Sequence, residues 1–281
     1  MKNTIIGIGE FGCDVAKGLS LYKQQYESYY VYDYENKLYS RKKKNNLFLP
    51  KLGNSEEYEL LLEDNKYCFV SNSISECIYV IVEEGNNING CILKLLEKFK
   101  DKEINILYIK NDTISNKNKL AHQIIYLALQ EYARSGVFNN MIIISKSMLE
   151  LVLNKVLLQE YYNQICQTIV YLIDSYSYFQ NNKPLYEQKH EELKGARIST
   201  FSIIDLEIKT ELMLFPLDNI REKRYYFLKT IKIFPVLFSF YLAIEFKNYV
   251  YCPVFTILFY IRFKSAQRHI YINRATNVFL N

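Results

Sequence analysis

The chain has 281 residues, 49% of them apolar, and carries 35 Lys and Arg against 30 Asp and Glu for a formal net charge of +5. That is enough apolar chain for one large domain, or two small ones, around a true core. Six cysteines (13, 68, 77, 91, 166 and 252) form no C-x-x-C pair and histidines occur only at 122, 190 and 269, which excludes a zinc module and points to reduced, buried thiols in a cytoplasmic protein.

The first 34 residues read as a β-α-β unit. Thr4 to Ile8 predicts a strand, Cys13 to Gln25 a helix and Tyr29 to Asp33 a second strand. The opening apolar run is too short for the apolar region of a signal peptide. Between strand and helix lies Gly7-Ile8-Gly9-Glu10-Phe11-Gly12-Cys13-Asp14. Glycines at G-x-G-x-x-G spacing let the backbone approach an anionic ligand with no Cβ in the way. The N–H groups and positive dipole end of the following helix then favour phosphate. The same glycines would also serve tight packing of helix on strand, and a lone G-x-G-x-x-G does not decide between the two.

Further along, Arg41-Lys42-Lys43-Lys44-Asn45-Asn46 is a basic loop, facing either phosphates or water. Ser55 to Asp64 predicts a helix with Ser55 as its N-cap. Cys77 to Val82 is a continuous apolar run, suited to a parallel strand buried on both faces. Glu83 to Asn89 is a polar loop. Gly90 to Lys100 is an amphipathic helix with Ile92, Leu95, Leu96 and Phe99 on one face. Ile104 to Ile109 predicts a strand, Leu120 to Ser135 a helix, Asn140 to Ser145 a strand, and Met148 to Phe179 a long helical region. Strands alternating with helices imply an α/β fold with a doubly wound parallel sheet.

Asn181-Asn182-Lys183-Pro184 breaks the pattern. Residues 1–180 are therefore expected to form an N-terminal α/β domain that includes a long connecting helix, and residues 181–281 a smaller α+β C-terminal domain with strands at 197–206 and 211–217. The apolar stretches Ile233 to Ile244 and Tyr249 to Ile261 are shorter than the roughly 18–20 residues of a spanning helix. Pro235 and Pro253 interrupt them, so core strands are expected and no transmembrane span. From Ile220 to Asn281 there are ten Lys and Arg against two acids, +8, which leaves −3 on residues 1–219. This asymmetry suits DNA, an anionic membrane or an acidic protein as partner. Tyr225, Tyr226 and Phe227 beside the charges would suit nucleic acid; the plainer reading of Arg221 to Arg224 is a solvated turn.

Two known patterns fit the opening turn. In the first, Gly7, Gly9 and Gly12 match the dinucleotide fingerprint of NAD(P)-binding Rossmann enzymes. Asp33 then ends the second strand about 20 residues on, where an acid binds a ribose hydroxyl. This match covers 34 residues, and no acid–base pair for hydride transfer follows: His122 lies in an apolar helix and His190 in a charged loop.

The second pattern covers more of the chain. The order of elements resembles the tubulin/FtsZ superfamily of GTP-binding filament proteins over residues 4–180. That family opens with G-x-G-G-x-G-x-N; here Glu10 replaces a glycine and Asp14 stands at the Asn position. Its G-G-G-T-G-[ST]-G loop corresponds to Glu84-Gly85-Asn86-Asn87-Ile88-Asn89-Gly90, in which only Gly85 and Gly90 survive and Asn87 takes the Thr position. Ile104 to Asp112 resembles the strand ending in a "TKPF"-like turn, and Met141 to Leu149 the "LITIPNDKL" strand and turn.

The resemblance implies GTP or GDP, with Mg²⁺, held by Gly7, Gly9, Glu10, Phe11, Gly12, Cys13, Asp14, Gly85, Asn86, Asn87, Asn89 and Gly90, and nucleotide-dependent self-association into filaments. It also implies hydrolysis by an acidic N-x-D-x-x-D loop entering from a second subunit. No such loop occurs near residues 180–192, where Glu187 and Glu191 are conceivable substitutes but read more plainly as a solvated charged helix start, so no catalytic residue is assigned. Glu83 and Glu84 would place like charge beside a triphosphate. Weak or lost hydrolysis is therefore expected.

Overall fold

The computed structural model describes residues 2–22, 25–34, 44–63, 74–111, 119–153, 158–181, 197–205, 210–216, 222–226 and 269–275. Ten strands form one sheet: β1 (Asn3–Ile8), β2 (Tyr26–Tyr32), β3 (Asn46–Phe48), β4 (Cys77–Glu83), β5 (Glu103–Lys110), β6 (Asn140–Ser145), β7 (Ile198–Asp205), β8 (Thr210–Met213), β9 (Glu222–Tyr226) and β10 (His269–Ala275). Their order is β3-β2-β1-β4-β5-β6-β7-β10-β9, with β8 paired to β7. From β3 to β7 every neighbouring pair is parallel; β10, β9 and β8 add antiparallel pairs.

The helices are α1 (Gly9–Leu19), α2 (Ser55–Leu61), α3 (Ile92–Glu97), α4 (Lys119–Ser135), α5 (Lys146–Leu153) and α6 (Leu158–Asn181), with a 3-10 turn at Asn87–Cys91 before α3. Both faces of the sheet are covered, as the continuous apolar strands require. Alternate residues of each strand feed two cores. Ile6, Ile8, Val80, Val82, Ile106, Tyr108 and Ile143 face α2, α3 and α4. Ile5, Ile81, Leu107, Ile109, Ile142 and Ile144 face α1, α5 and α6. The doubly wound parallel sheet read from the sequence is the architecture observed.

Local boundaries differ in instructive ways. Helix α1 begins at Gly9 rather than Cys13, because a glycine with φ +72° turns the chain at once into the helix. The N-cap of α2 is Asn54, not Ser55: the Asn54 side chain accepts from the Glu57 N–H at 2.9 Å, and Ser55 is the first helical residue. The end of the basic loop contributes β3, parallel to β2.

The strand expected at 197–206 is β7. It pairs in parallel with β6 through Met141↔Ile198 and Ile142↔Ser199, so the main sheet continues into it. Asn181 ends α6; residues 182–184 of the break, Arg41 to Lys43, His190, Glu187, Glu191, and the apolar stretches 233–244 and 249–261 lie outside the described residues. Among the described residues no helix is long and apolar enough to cross a membrane, and Cys13, Cys77, Cys91 and Cys166 are free thiols.

Candidate functional site

Strand order reverses between β1 and β4: β1 leads through α1 to β2 on one side, while β4 and β5 extend the other. In a doubly wound sheet the crevice outside the carboxyl ends of the strands at such a point is where ligands bind. Two loops meet there. One is the β1–α1 turn, with Gly9 at φ +72°; the other follows β4, with Gly85 at φ +100°. A Cβ placed on Gly9 would stand 3.5 Å from Asn86 Nδ2 and 3.5 Å from Ile88 Cγ2, so the loops touch at ordinary van der Waals distance.

Both loops lead into helical turns whose N-cap residues, Ile8 and Asn86, make no side-chain cap hydrogen bond. The first amides of a helix have no partner within it. At α1 no side chain caps them, and the helix dipole favours an anion there.

The other glycines have structural duties. A Cβ on Gly7 would lie 2.2 Å from the Gly12 carbonyl oxygen, and one on Gly12 would lie 2.6 Å from the Ile81 carbonyl oxygen. These two glycines let α1 press onto β1 and β4. A Cβ on Gly90 would strike the Ser55 carbonyl oxygen, so Gly90 seats the 3-10 turn against α2. Of the three fingerprint glycines, only Gly9 would set a Cβ against side chains of the opposing loop rather than against backbone.

The remaining candidates divide in the same way. Glu10 is exposed in the first turn of α1. Phe11 is buried, its ring meeting Tyr162 of α6 edge-on at 5.9 Å. The Cys13 thiol points into the sheet, donating to the Gly7 and Val31 carbonyls at 3.3 and 3.4 Å, and burial raises its pKa well above that of an ordinary thiol. Asp14 accepts a 2.9 Å hydrogen bond from the Tyr162 hydroxyl. Asp33 accepts from the Tyr58 hydroxyl, whose pKa is raised by burial and by this contact. Asn87 donates to the Gly53 carbonyl at 2.7 Å, and Asn89 to the Glu83 carbonyl at 2.7 Å, which fixes the loop after β4.

Charge at this edge is not as the sequence alone suggests. Glu83 is not a bare carboxylate: it forms an ion pair with Lys146, the first residue of α5, and accepts from Asn86 Nδ2 at 3.3 Å. Glu84 accepts from the Asn111 N–H at 3.1 Å. Lys146 Nζ also lies 4.4 Å from the centre of the Phe11 ring. Nearby, burial and then the Asp14 carboxylate push the Cys166 thiol up to about 12. Asp14, Phe11, Glu83, Lys146, Tyr162 and Cys166 thus form one cluster joining α1, β4, α5 and α6.

Tyr162 lies in no sequence motif, and Lys146 lies inside the Met141 to Leu149 strand-and-turn segment without a role being assigned to it there. Glu83 and Lys146 are 63 residues apart, and Asp14 and Tyr162 are 148 apart. The local signal for Lys146 was that motif and its position, immediately after an apolar strand at the carboxyl edge of the sheet.

The architecture is that of the tubulin/FtsZ fold, in a divergent form. Among solved structures, the chain is similar to CetZ1 from Haloferax volcanii, a GDP-bound monomer, with a TM-score of 0.60 and 12% identity over 99% of this chain and 95% of that one. It is also similar to an empty FtsZ dimer from M. jannaschii, with a TM-score of 0.53 and 12% identity over 72% of this chain; the match spans 63% of the FtsZ chain. No protein-family model and no curated protein matches the sequence.

Proposed function

We propose that this protein is a tubulin/FtsZ-like GTP- or GDP-binding protein that self-associates in a nucleotide-dependent way, with weak or lost hydrolysis. One observation carries the reading: an uncapped helix start and two positive-φ glycines converge at the β1/β4 reversal of a doubly wound sheet. Gly9, with the α1 amides, fits a phosphate group, because no Cβ obstructs the turn. Gly85, Asn86, Asn87, Asn89 and Gly90 shape the opposing loop. Gly7 and Gly12 act indirectly, by holding α1 close to the sheet. Mg²⁺, when bound, would supply neutralising charge for the phosphates.

The solved structures support the proposal in kind: the CetZ1 neighbour holds GDP, and the FtsZ neighbour is a dimer. Asp33 bears on the NAD(P) alternative. One of its oxygens accepts from Tyr58 and the carboxylate keeps further lone pairs for a ribose hydroxyl, so NADH serves as the competitor that separates the two readings.

The smaller C-terminal unit over residues 181–281 and its basic balance are proposed to contact an anionic partner, whether DNA, an anionic membrane or an acidic protein. The excess of ten Lys and Arg over two acids between Ile220 and Asn281 favours this. Self-association is tested by sedimentation and light scattering of the full chain with GTP, GDP or no nucleotide. Pelletable polymer with GTP is expected; identical sedimentation in all three conditions would overturn the assembly reading.

A further inference from the structure

The Glu83–Lys146 pair lies at the carboxyl edge of the sheet: Glu83 ends β4, just before the loop that carries Gly85, and Lys146 begins α5. Both side chains are largely withdrawn from water, at 14% and 19% exposure. Taking two charges out of water costs nearly as much as their attraction returns, so such a pair is held with little net gain. One Glu83 oxygen faces Lys146 and the other faces Asn86. An ammonium has three N–H donors, and among the described residues only one is used in a hydrogen bond, while the Phe11 ring holds the cation over the first turn of α1. The ring belongs to the residue two beyond Gly9, so the cation is tethered beside the amides that would meet an anion.

We infer that Lys146 is an exchangeable cation: it pairs with Glu83 when the site is empty and transfers to a phosphate oxyanion of the ligand when it is filled. The inference rests on the phosphate-binding reading above. Exchange replaces one carboxylate partner by a more highly charged one that the α1 amides also hold, and Glu83 turns outward into water. The Phe11 ring attracts the cation and keeps it beside α1. Glu83 thereby makes the ligand compete for its own counter-ion, which sets affinity below what the turn would otherwise provide.

The test uses the full chain as wild type, E83Q, K146Q and the double variant, titrated with a fluorescent GTP analogue and with inorganic pyrophosphate as competitor. K146Q is expected to weaken both ligands by about tenfold to a hundredfold, the usual effect of deleting one charge-assisted hydrogen bond. E83Q is expected to tighten both. Melting of the four proteins without ligand should show coupling between the two positions, and saturation with pyrophosphate should abolish it. Equal affinity in wild type, E83Q and K146Q would overturn the exchange while leaving the phosphate site intact. Binding by E83Q but not by wild type would support the exchange in its strongest form. Absence of binding in both wild type and E83Q would overturn the site and the exchange together.

Discussion

At the scale of single residues, glycines that look alike in the sequence do different work. Alanine at Gly7 or Gly12 puts a Cβ 2.2 or 2.6 Å from a backbone carbonyl oxygen. Each should cost about 3 kcal/mol by overpacking, read by urea denaturation. G9A meets no such obstacle but must hold φ +72°. It should cost about 1–2 kcal/mol and fold normally, with its larger effect on nucleotide affinity. Equal loss of stability in all three variants would contradict this division.

His122 carries a second residue-scale prediction. It is buried on α4, neither ring nitrogen has a partner among the described residues, and burial lowers its pKa from 6.5. The unfolded chain therefore takes up the proton first as pH falls. The contribution of neutral His122 is complete above pH 6.5 and is lost on acidification through the lowered folded value. H122L should be less sensitive than wild type between pH 7 and pH 5 in melting experiments; parallel curves would exclude the mechanism.

At the scale of elements, periodicity and apolar runs located most of the sheet. Cys77 to Val82, Ile104 to Ile109 and Asn140 to Ser145 are strands, and Leu120 to Ser135 a helix, because a strand buried on both faces must be apolar throughout and an amphipathic helix must not. Element ends were less legible, since they depend on caps. Asn54 and Ser55 are both good N-caps by type; only the Asn54 bond to the Glu57 N–H shows which is used. N54A should therefore cost about 1 kcal/mol, and S55A less, in the same denaturation assay. Similarly, the Tyr162–Asp14 bond links α6 to α1 across 148 residues. Y162F should lower stability by about 1 kcal/mol with little change in fold by circular dichroism.

At the scale of the molecule, the sequence revealed the alternation of strands and helices and the glycine turn, and with them the doubly wound sheet. It did not reveal that Gly12 is needed because the Ile81 carbonyl lies beneath it, nor that Glu83 is answered by Lys146. Both facts arise from contacts between a helix and a strand far apart in the chain, which no local pattern encodes. The eroded glycine loop after β4 looked hostile to phosphate when read as a string. Folded, its asparagines bond to the Gly53 and Glu83 carbonyls and to the Glu83 carboxylate, and the loop packs against the turn at Gly9.

The central claim is that the β1/β4 edge binds a guanine nucleotide by its phosphates. The most direct measurement is displacement of a fluorescent GTP analogue from the purified full chain by unlabelled GTP and by NADH. Displacement by GTP, with NADH ineffective, is the predicted result. Displacement by NADH, or no binding of the analogue at millimolar concentration, would contradict the account.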